Sequence, residues 1–188
     1  APAGFLGGRP SGKPLHTGQD FYFAEGQQQW VIAQFQYGNA IFKSKLESEE
    51  VKVYLLRDCG VAWEELGTVF TSRGDKAAVL GVEDDGGIVY FPIPANKSLE
   101  LGRHRIRLVV SGDQSAVELF IEVLPQGSSL FVSDVDGTLT SSELAQAGSW
   151  ITGGLPKPQA GAADLFKGLA AKGYRPLYLT ARGSGQLD

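Results

Sequence analysis

The stretch Arg105-Ile-Arg-Leu-Val-Val-Ser-Gly-Asp-Gln-Ser-Ala-Val-Glu-Leu-Phe-Ile-Glu-Val123 decides the reading of the first two thirds of the chain. Ile106, Leu108 and Val110 alternate with Arg105 and Arg107, and Val117, Leu119, Ile121 and Val123 alternate with Glu118 and Glu122. Successive side chains of a strand point to opposite faces, so this pattern describes two strands, each with one apolar face and one face in water. The polar run Ser111-Gly-Asp-Gln-Ser115 between them supplies a Gly for a positive φ and joins the strands into a hairpin. The outward Arg and Glu residues are placed to pair across it.

Working towards the N-terminus, short strands follow at fairly regular spacing at Trp30–Tyr37, Val51–Arg57, Leu66–Phe70, Lys76–Val82 and Ile88–Ile93, with no good amphipathic helix between them. With His104–Val110 and Ala116–Leu124, these short strands predict an all-β, immunoglobulin-like sandwich over residues 20–124. The Cys…Trp…Cys spacing of antibody domains is absent. Residues 1–19, rich in Gly, Pro and Ser, carry no period and read as a flexible lead-in. Pro125-Gln-Gly-Ser-Ser129 reads as a linker, because Pro and Gly end the last strand and the pattern then changes.

After the linker the order becomes strand, helix, strand. Leu130–Ser133 is a continuous apolar run of the kind buried on both faces of a parallel sheet. Pro158–Lys172 predicts a helix with Leu165, Phe166 and Leu169 on one stripe, Pro at its start and Gly173 past its end. Pro176–Thr180 is a second apolar strand. A strand, a crossover helix and a strand make a parallel α/β unit, which brings Asp134 and Thr180 to the same sheet edge.

At that edge, Asp134-Val-Asp136 sets two carboxylates two positions apart, the spacing that turns them to one side. Two such charges repel unless a cation or a shared proton compensates. Mg²⁺ suits them, since it takes oxygen ligands, keeps waters and bridges carboxylates to a substrate phosphate. A carboxylate nucleophile beside a second carboxyl acting as acid and base is one solution to phosphoryl transfer. Asp and Gly also make plain strand-end turns.

Asp134-Val-Asp-Gly-Thr138 resembles the first motif of haloacid-dehalogenase-superfamily phosphatases, and Leu179-Thr-Ala-Arg182 is placed like their second motif. The longer runs Asp134-Val-Asp-Gly-Thr-Leu-Thr-Ser-Ser-Glu143, Gly173-Tyr-Arg-Pro-Leu-Tyr-Leu-Thr-Ala-Arg182 and Gly185-Gln-Leu-Asp188 resemble the catalytic domain of the lipin family of phosphatidate phosphatases. The resemblance implies a haloacid-dehalogenase-like Rossmannoid domain over residues 130–188. It implies that Asp134 is the nucleophile and a Mg²⁺ ligand, and that Asp136 is the general acid and base, with its carbonyl on the metal. Thr180 would bind the transferring phosphoryl group, Arg182 would approach the phosphate or pair within the fold, and Gly137 and Thr138 would shape the turn. The third and fourth motifs of the superfamily, a Lys or Arg and an acidic pair, lie after the second motif and are absent before Asp188. Residues 130–188 are therefore expected to be the truncated front of such a domain, inactive alone. Lys157, Lys167 and Lys172 read as solvated helix-side residues rather than replacements.

The expected function is Mg²⁺-dependent hydrolysis of a phosphomonoester through an aspartyl-phosphate, with phosphatidate at a membrane surface as the favoured substrate. Two alternatives stand beside it: a phosphatase for soluble phosphomonoesters, and a non-catalytic module that binds lipid, glycan or protein. Phosphatidylinositol-transfer proteins, which carry a lipin-like domain with a degraded motif, bind lipid without hydrolysing it. Retention of both aspartates here favours catalysis.

Composition narrows the classes. The chain has 188 residues, 43% of them apolar and 20% charged, which is globular rather than disordered. A net charge of -4 and no long Lys/Arg run argue against nucleic acid. No segment reaches the ~20 apolar residues of a membrane helix, so the chain reads as soluble. It starts at Ala1 and has no Met, which implies either a removed leader, and then an extracytoplasmic protein, or a cut piece. Cys59, a single cysteine, forms no internal disulfide or zinc set. His16 and His104 lack a sequence-adjacent triad and read as strand-surface or linker residues. Glu83-Asp-Asp-Gly-Gly87 reads as a turn rather than a calcium loop, and Trp30, Trp63 and the aromatic residues around position 21 as core.

Overall fold

The computed structural model describes residues 5, 10–39, 42–57, 60–134 and 159–179. The chain divides into two compact units between Gln126 and Gly127. In the first, the strands in chain order are β1 (Lys13–Pro14), β2 (Thr17–Gly18), β3 (Phe21–Ala24), β4 (Trp30–Gln34), β5 (Gln36–Gly38), β6 (Lys43–Lys45), β7 (Glu50–Leu56), β8 (Glu64–Phe70), β9 (Ile88–Pro92), β10 (Gly102–Val110) and β11 (Ala116–Leu124).

These strands form a five-stranded sheet in the order β3-β11-β10-β7-β8 and two three-stranded sheets, β2-β4-β9 and β1-β5-β6. The β10–β11 hairpin forms as its alternation requires, with Arg107 opposite Glu118 and Leu108 opposite Val117. On its wet face, Arg105 and Arg107 both pair with Glu118, and the Arg103 guanidinium lies 4.1 Å from the centre of the Phe120 ring. On the other face, Ile106, Leu108, Leu119 and Ile121 meet Val51, Val53 and Leu55 of β7 and, from the smaller sheets, Val31, Phe35, Val89 and Phe91. Full burial of side chains of this size contributes about 1.5–3 kcal/mol each, which makes this two-layer core the main source of stability.

The sandwich reading holds at the level of two packed layers. Its strand order adds something a string of hairpins does not give, because β3 runs parallel to β11 at the sheet edge. At Phe35 the chain changes partners: its N–H donates to the Gly87 carbonyl at 2.7 Å and its carbonyl accepts from the Leu46 N–H at 2.9 Å. Gly87 sits at φ 68, and a Cβ there would lie 2.6 Å from the Phe35 carbonyl oxygen, so the close approach needs glycine.

Four local expectations are corrected. Lys76–Val82 is not a strand; Leu80 (φ 51) and Gly81 (φ 79) make a tight turn bridged between Val79 and Val82. Those two valines instead cover Ile32, Ile88 and Tyr90 on the outer side of the β4–β9 pair, so apolar burial rather than ladder pairing accounts for the segment. Within the lead-in, β1 pairs with β5 and β2 with β4, so residues 13–18 are held in sheets rather than left as a flexible tether. In the β10–β11 turn the positive φ belongs to Gln114 (φ 65), while Gly112 makes room for Phe5, whose ring a Cβ would approach to 2.7 Å. Trp63 is 38% exposed and is not core, unlike half-buried Trp30.

The second unit contains β12 (Leu130–Asp134), α1 (Ala162–Ala171) and β13 (Arg175–Leu179), with β12 and β13 paired in parallel. The helix starts later than the sequence predicts, with Gly161 (φ 77) as its N-cap and no side-chain cap. Its end follows the prediction: the Gly173 N–H donates to Ala170 and the Tyr174 N–H to Leu169, with Gly173 at φ 86. Phe166 packs against Phe131 and Tyr178 at ring distances of 4.9 and 5.8 Å, so the apolar stripe of α1 covers one face of the pair. Burial on both faces is not observed. Val132 is 59% exposed, and Leu130 and Leu179 are exposed too, because one helix covers only one face. The described residues of the second unit contain this one parallel pair and one helix; the wider α/β sheet expected of a haloacid-dehalogenase-like domain is not among them.

Candidate functional site

Asp134 is the last residue of β12, and the parallel register sets it opposite Leu179, the last residue of β13. The chain therefore leaves both strands from the same end of the pair. Asp134 is exposed there, and alternation along β12 separates it from Phe131 and Ser133, which lie on the helix side. Asp136, Gly137, Thr138, Thr180 and Arg182 lie outside the described residues, as does Cys59. Among the described residues no three acidic, His or Cys side chains gather as a metal centre.

Beside this strand end runs a groove of about 470 Å³ lined by Phe131, Val132, Ser133, Leu165, Phe166 and Leu169, among others. The groove belongs to the helix side of the pair, whereas Asp134 is on the other face of β12.

The sandwich holds a polar cluster that sequence spacing does not reveal. His16 Nδ1 faces the Gln36 N–H at 3.3 Å, and its Nε2 lies 2.9 Å from Ser115 Oγ. Ser115 Oγ is 2.8 Å from the Tyr37 hydroxyl, which donates to Asp113 Oδ2 at 2.9 Å. A backbone N–H only donates, so Nδ1 must accept and Nε2 must carry the proton. The chain of donors then runs His16 to Ser115 to Tyr37 to Asp113. Ser115 receives a hydrogen bond from the imidazole and is not activated by it, so the cluster is no hydrolytic triad.

Burial holds His16 down at about 4, against the pull of Asp113, and pushes Tyr37 up to about 12. Burial would also raise Asp113, but hydrogen bonds from Ser115 and Tyr37 outweigh it and keep the carboxyl below its ordinary range.

His16 and His104 are therefore not strand-surface or linker residues. His16 is half-buried against the Phe35 and Tyr37 rings. His104 is 3% exposed and donates from Nε2 to the Glu100 carbonyl at 2.9 Å, since it continues the inward series of Ile106, Leu108 and Val110. The Glu83–Gly87 segment is a loop, as read. The Asp84 carboxylate accepts from the Ser72 hydroxyl and from the Lys76 and Gly86 N–H groups, and Asp85 pairs with Lys45 and accepts from Gln34. Both carboxylates are satisfied by protein donors.

Comparison with known proteins adds the decisive observation. Residues 14–123 match the family described as PITM 1-3, beta-sandwich domain, and residues 95–188 match LNS2 (Lipin/Ned1/Smp2). The chain belongs to both families: it is a PITM 1-3 β-sandwich followed by an LNS2 domain.

The two matches overlap over residues 95–123, so the LNS2 match takes in the β10–β11 hairpin. The LNS2 domain is of the haloacid-dehalogenase-like phosphatase type. Relatives include "Protein retinal degeneration B" of Drosophila melanogaster, 30% identical over 89% of this chain and 12% of that protein. Human "Membrane-associated phosphatidylinositol transfer protein 1" is 29% identical over the same shares. The chain spans only about an eighth of these relatives' length. A chitin binding domain from Burkholderia pseudomallei overlaps 56% of the chain and 57% of its own at 12% identity, with a TM-score of 0.32; at that score it leaves the topology to the strands themselves. No helix among the described residues is long and apolar enough to cross a membrane.

Proposed function

We propose that the LNS2 part of this chain carries the nucleophile half of a Mg²⁺-dependent phosphomonoesterase site, with phosphatidate as the favoured substrate. The observation that carries the reading is the parallel register of Asp134 with Leu179, since it leaves Asp136 and Thr180 to follow from the same sheet edge. The match to LNS2 (Lipin/Ned1/Smp2) supports a lipid phosphomonoester as that substrate.

In this mechanism the Asp134 carboxylate attacks phosphorus in line, the bond to the leaving alcohol oxygen breaks, and Asp136 gives that oxygen its proton. Asp136 then takes a proton from water as the water attacks the aspartyl-phosphate, which releases phosphate and restores Asp134. The Thr180 hydroxyl steadies the phosphoryl oxygens, and Arg182 lies close enough in sequence to approach them. Asp134 suits Mg²⁺ as an exposed oxygen ligand at a strand end, and the ion would be held by Asp134 and the Asp136 carbonyl. When bound, it supplies positive charge against the phosphoryl oxygens.

A second reading is favoured by the relatives, several of which are named as phosphatidylinositol transfer proteins: the same site recognises a phosphate-bearing lipid without turning it over. One experiment separates the two. Phosphate release from dispersed phosphatidate and from water-soluble monoesters is measured with and without Mg²⁺, in this chain and in a longer protein that contains it, alongside vesicle binding. Mg²⁺-dependent release that is lost in Asp134→Asn supports catalysis. Phosphatidate binding with no release from any form supports recognition alone, and a preference for soluble monoesters overturns the lipid assignment.

A further inference from the structure

We infer that Phe42, at the end of the β5–β6 connection, forms with Lys13 and Lys43 a docking surface for an anionic lipid bilayer. Hairpin connections ordinarily carry polar residues and glycine, yet Phe42 stands here directly before Lys43. The connection is closed by backbone bonds on Phe42, whose carbonyl accepts from the Asn39 N–H at 2.9 Å and whose N–H donates to Asn39 Oδ1 at 2.9 Å. Phe42 is thus held in place by its backbone while its side chain stays 75% exposed.

Two exposed lysines stand beside it. Lys13 on β1 and Lys43 on β6 are both register partners of Gly38 on β5, and residues opposite one another in a ladder share a face. Two ammonium groups therefore flank a position with no side chain, on the sheet face away from buried Tyr37. Both lysines are exposed, and neither has an ion pair among the described residues. Lys45 follows on the same face and is already matched by Asp85. An exposed aromatic ring beside unpaired lysines fits a surface that is apolar below and anionic above, where the ring enters the interface and the lysines meet phosphate. The net charge of -4 opposes approach only weakly, since charges beyond about 8 Å are screened at physiological salt.

The inference rests on the sandwich and is independent of the phosphatase reading. It is tested by co-sedimenting the 188-residue chain with phosphatidylcholine vesicles doped with phosphatidylserine, and with phosphatidylcholine alone. Phosphatidate is omitted so that the Asp134 site is not engaged. The expected result is binding to doped vesicles that falls with added salt, drops about fivefold in each of Lys13→Gln and Lys43→Gln, falls several-fold in Phe42→Ser, and is unchanged in Asp134→Asn. Circular dichroism confirms that each variant is folded. Equal binding to neutral vesicles, no binding of the unmodified chain, or full binding by the Phe42 and Lys43 variants would overturn it.

Discussion

Asp134 and Leu179 stand opposite one another as the final residues of a parallel strand pair, so both strands end at one edge. Parallel pairing requires the crossover that α1 occupies, and the Phe166 ring against Phe131 and Tyr178 ties that crossover to both strands.

If Asp136 is the general acid, Asp136→Asn should slow turnover of an alkyl phosphate by about 10²- to 10⁴-fold. An aryl phosphate whose leaving group needs no proton should recover part of that loss. Steady-state rates on the two substrates decide the matter, and an equal relative loss on both removes Asp136 from the acid role.

Hydrogen exchange should separate the two units. Protection should be high at Arg105–Val110 and Val117–Val123, where Ile106, Leu108, Val110, Leu119, Ile121 and Val123 are almost wholly buried, and weak at Leu177–Leu179, where exposed Tyr178 and Leu179 mark a thinly covered strand. Equal protection in both places would show that the β12–β13 pair is far better packed than its burial indicates.

Stability of the sandwich should depend on pH through His16. Its folded value, about 4, lies below the ordinary 6.5, so the unfolded chain binds the proton first. The contribution is complete above pH 6.5, declines as the pH falls towards 4, and amounts to about 2 kcal/mol once partial exposure of the ring is allowed for. Asp113 and Asp84, both held low, lose theirs at still lower pH. Urea unfolding from pH 7 to 4 should show the decline, and His16→Asn should flatten it.

Gly87→Ala should destabilise the sandwich by more than about 1 kcal/mol. The position combines φ 68 with a Cβ placed 2.6 Å from the Phe35 carbonyl oxygen. Gly26→Ala is a useful contrast within the sandwich, since φ 81 is strained there but no atom lies within 4 Å. Thermal unfolding of both variants would show whether the Phe35–Gly87 approach adds to backbone strain.

The strands of the sandwich were legible wherever one face is buried, because period-two alternation is written in consecutive residues. The β10–β11 hairpin and β7 follow from that alone, β9 follows from an apolar run buried on both faces, and the C-terminal cap of α1 follows from one glycine. Asp134-Val-Asp136 was legible for a different reason: its chemistry depends on residues adjacent in the chain.

What only tertiary structure decided involves groups that meet across long separations. Val79 and Val82 look like strand residues but serve as a lid over Ile32 and Tyr90. His16 and Ser115 are 99 residues apart, and the proton order along their hydrogen-bond chain depends on a backbone N–H of Gln36 that no spacing rule locates. Lys13 and Lys43 become neighbours only through their shared register with Gly38. The sequence determined which segments alternate and which carboxylates stand together, because those are local properties. Burial, proton placement and surface charge belong to the packed molecule, because they depend on which distant segments exclude water from one another.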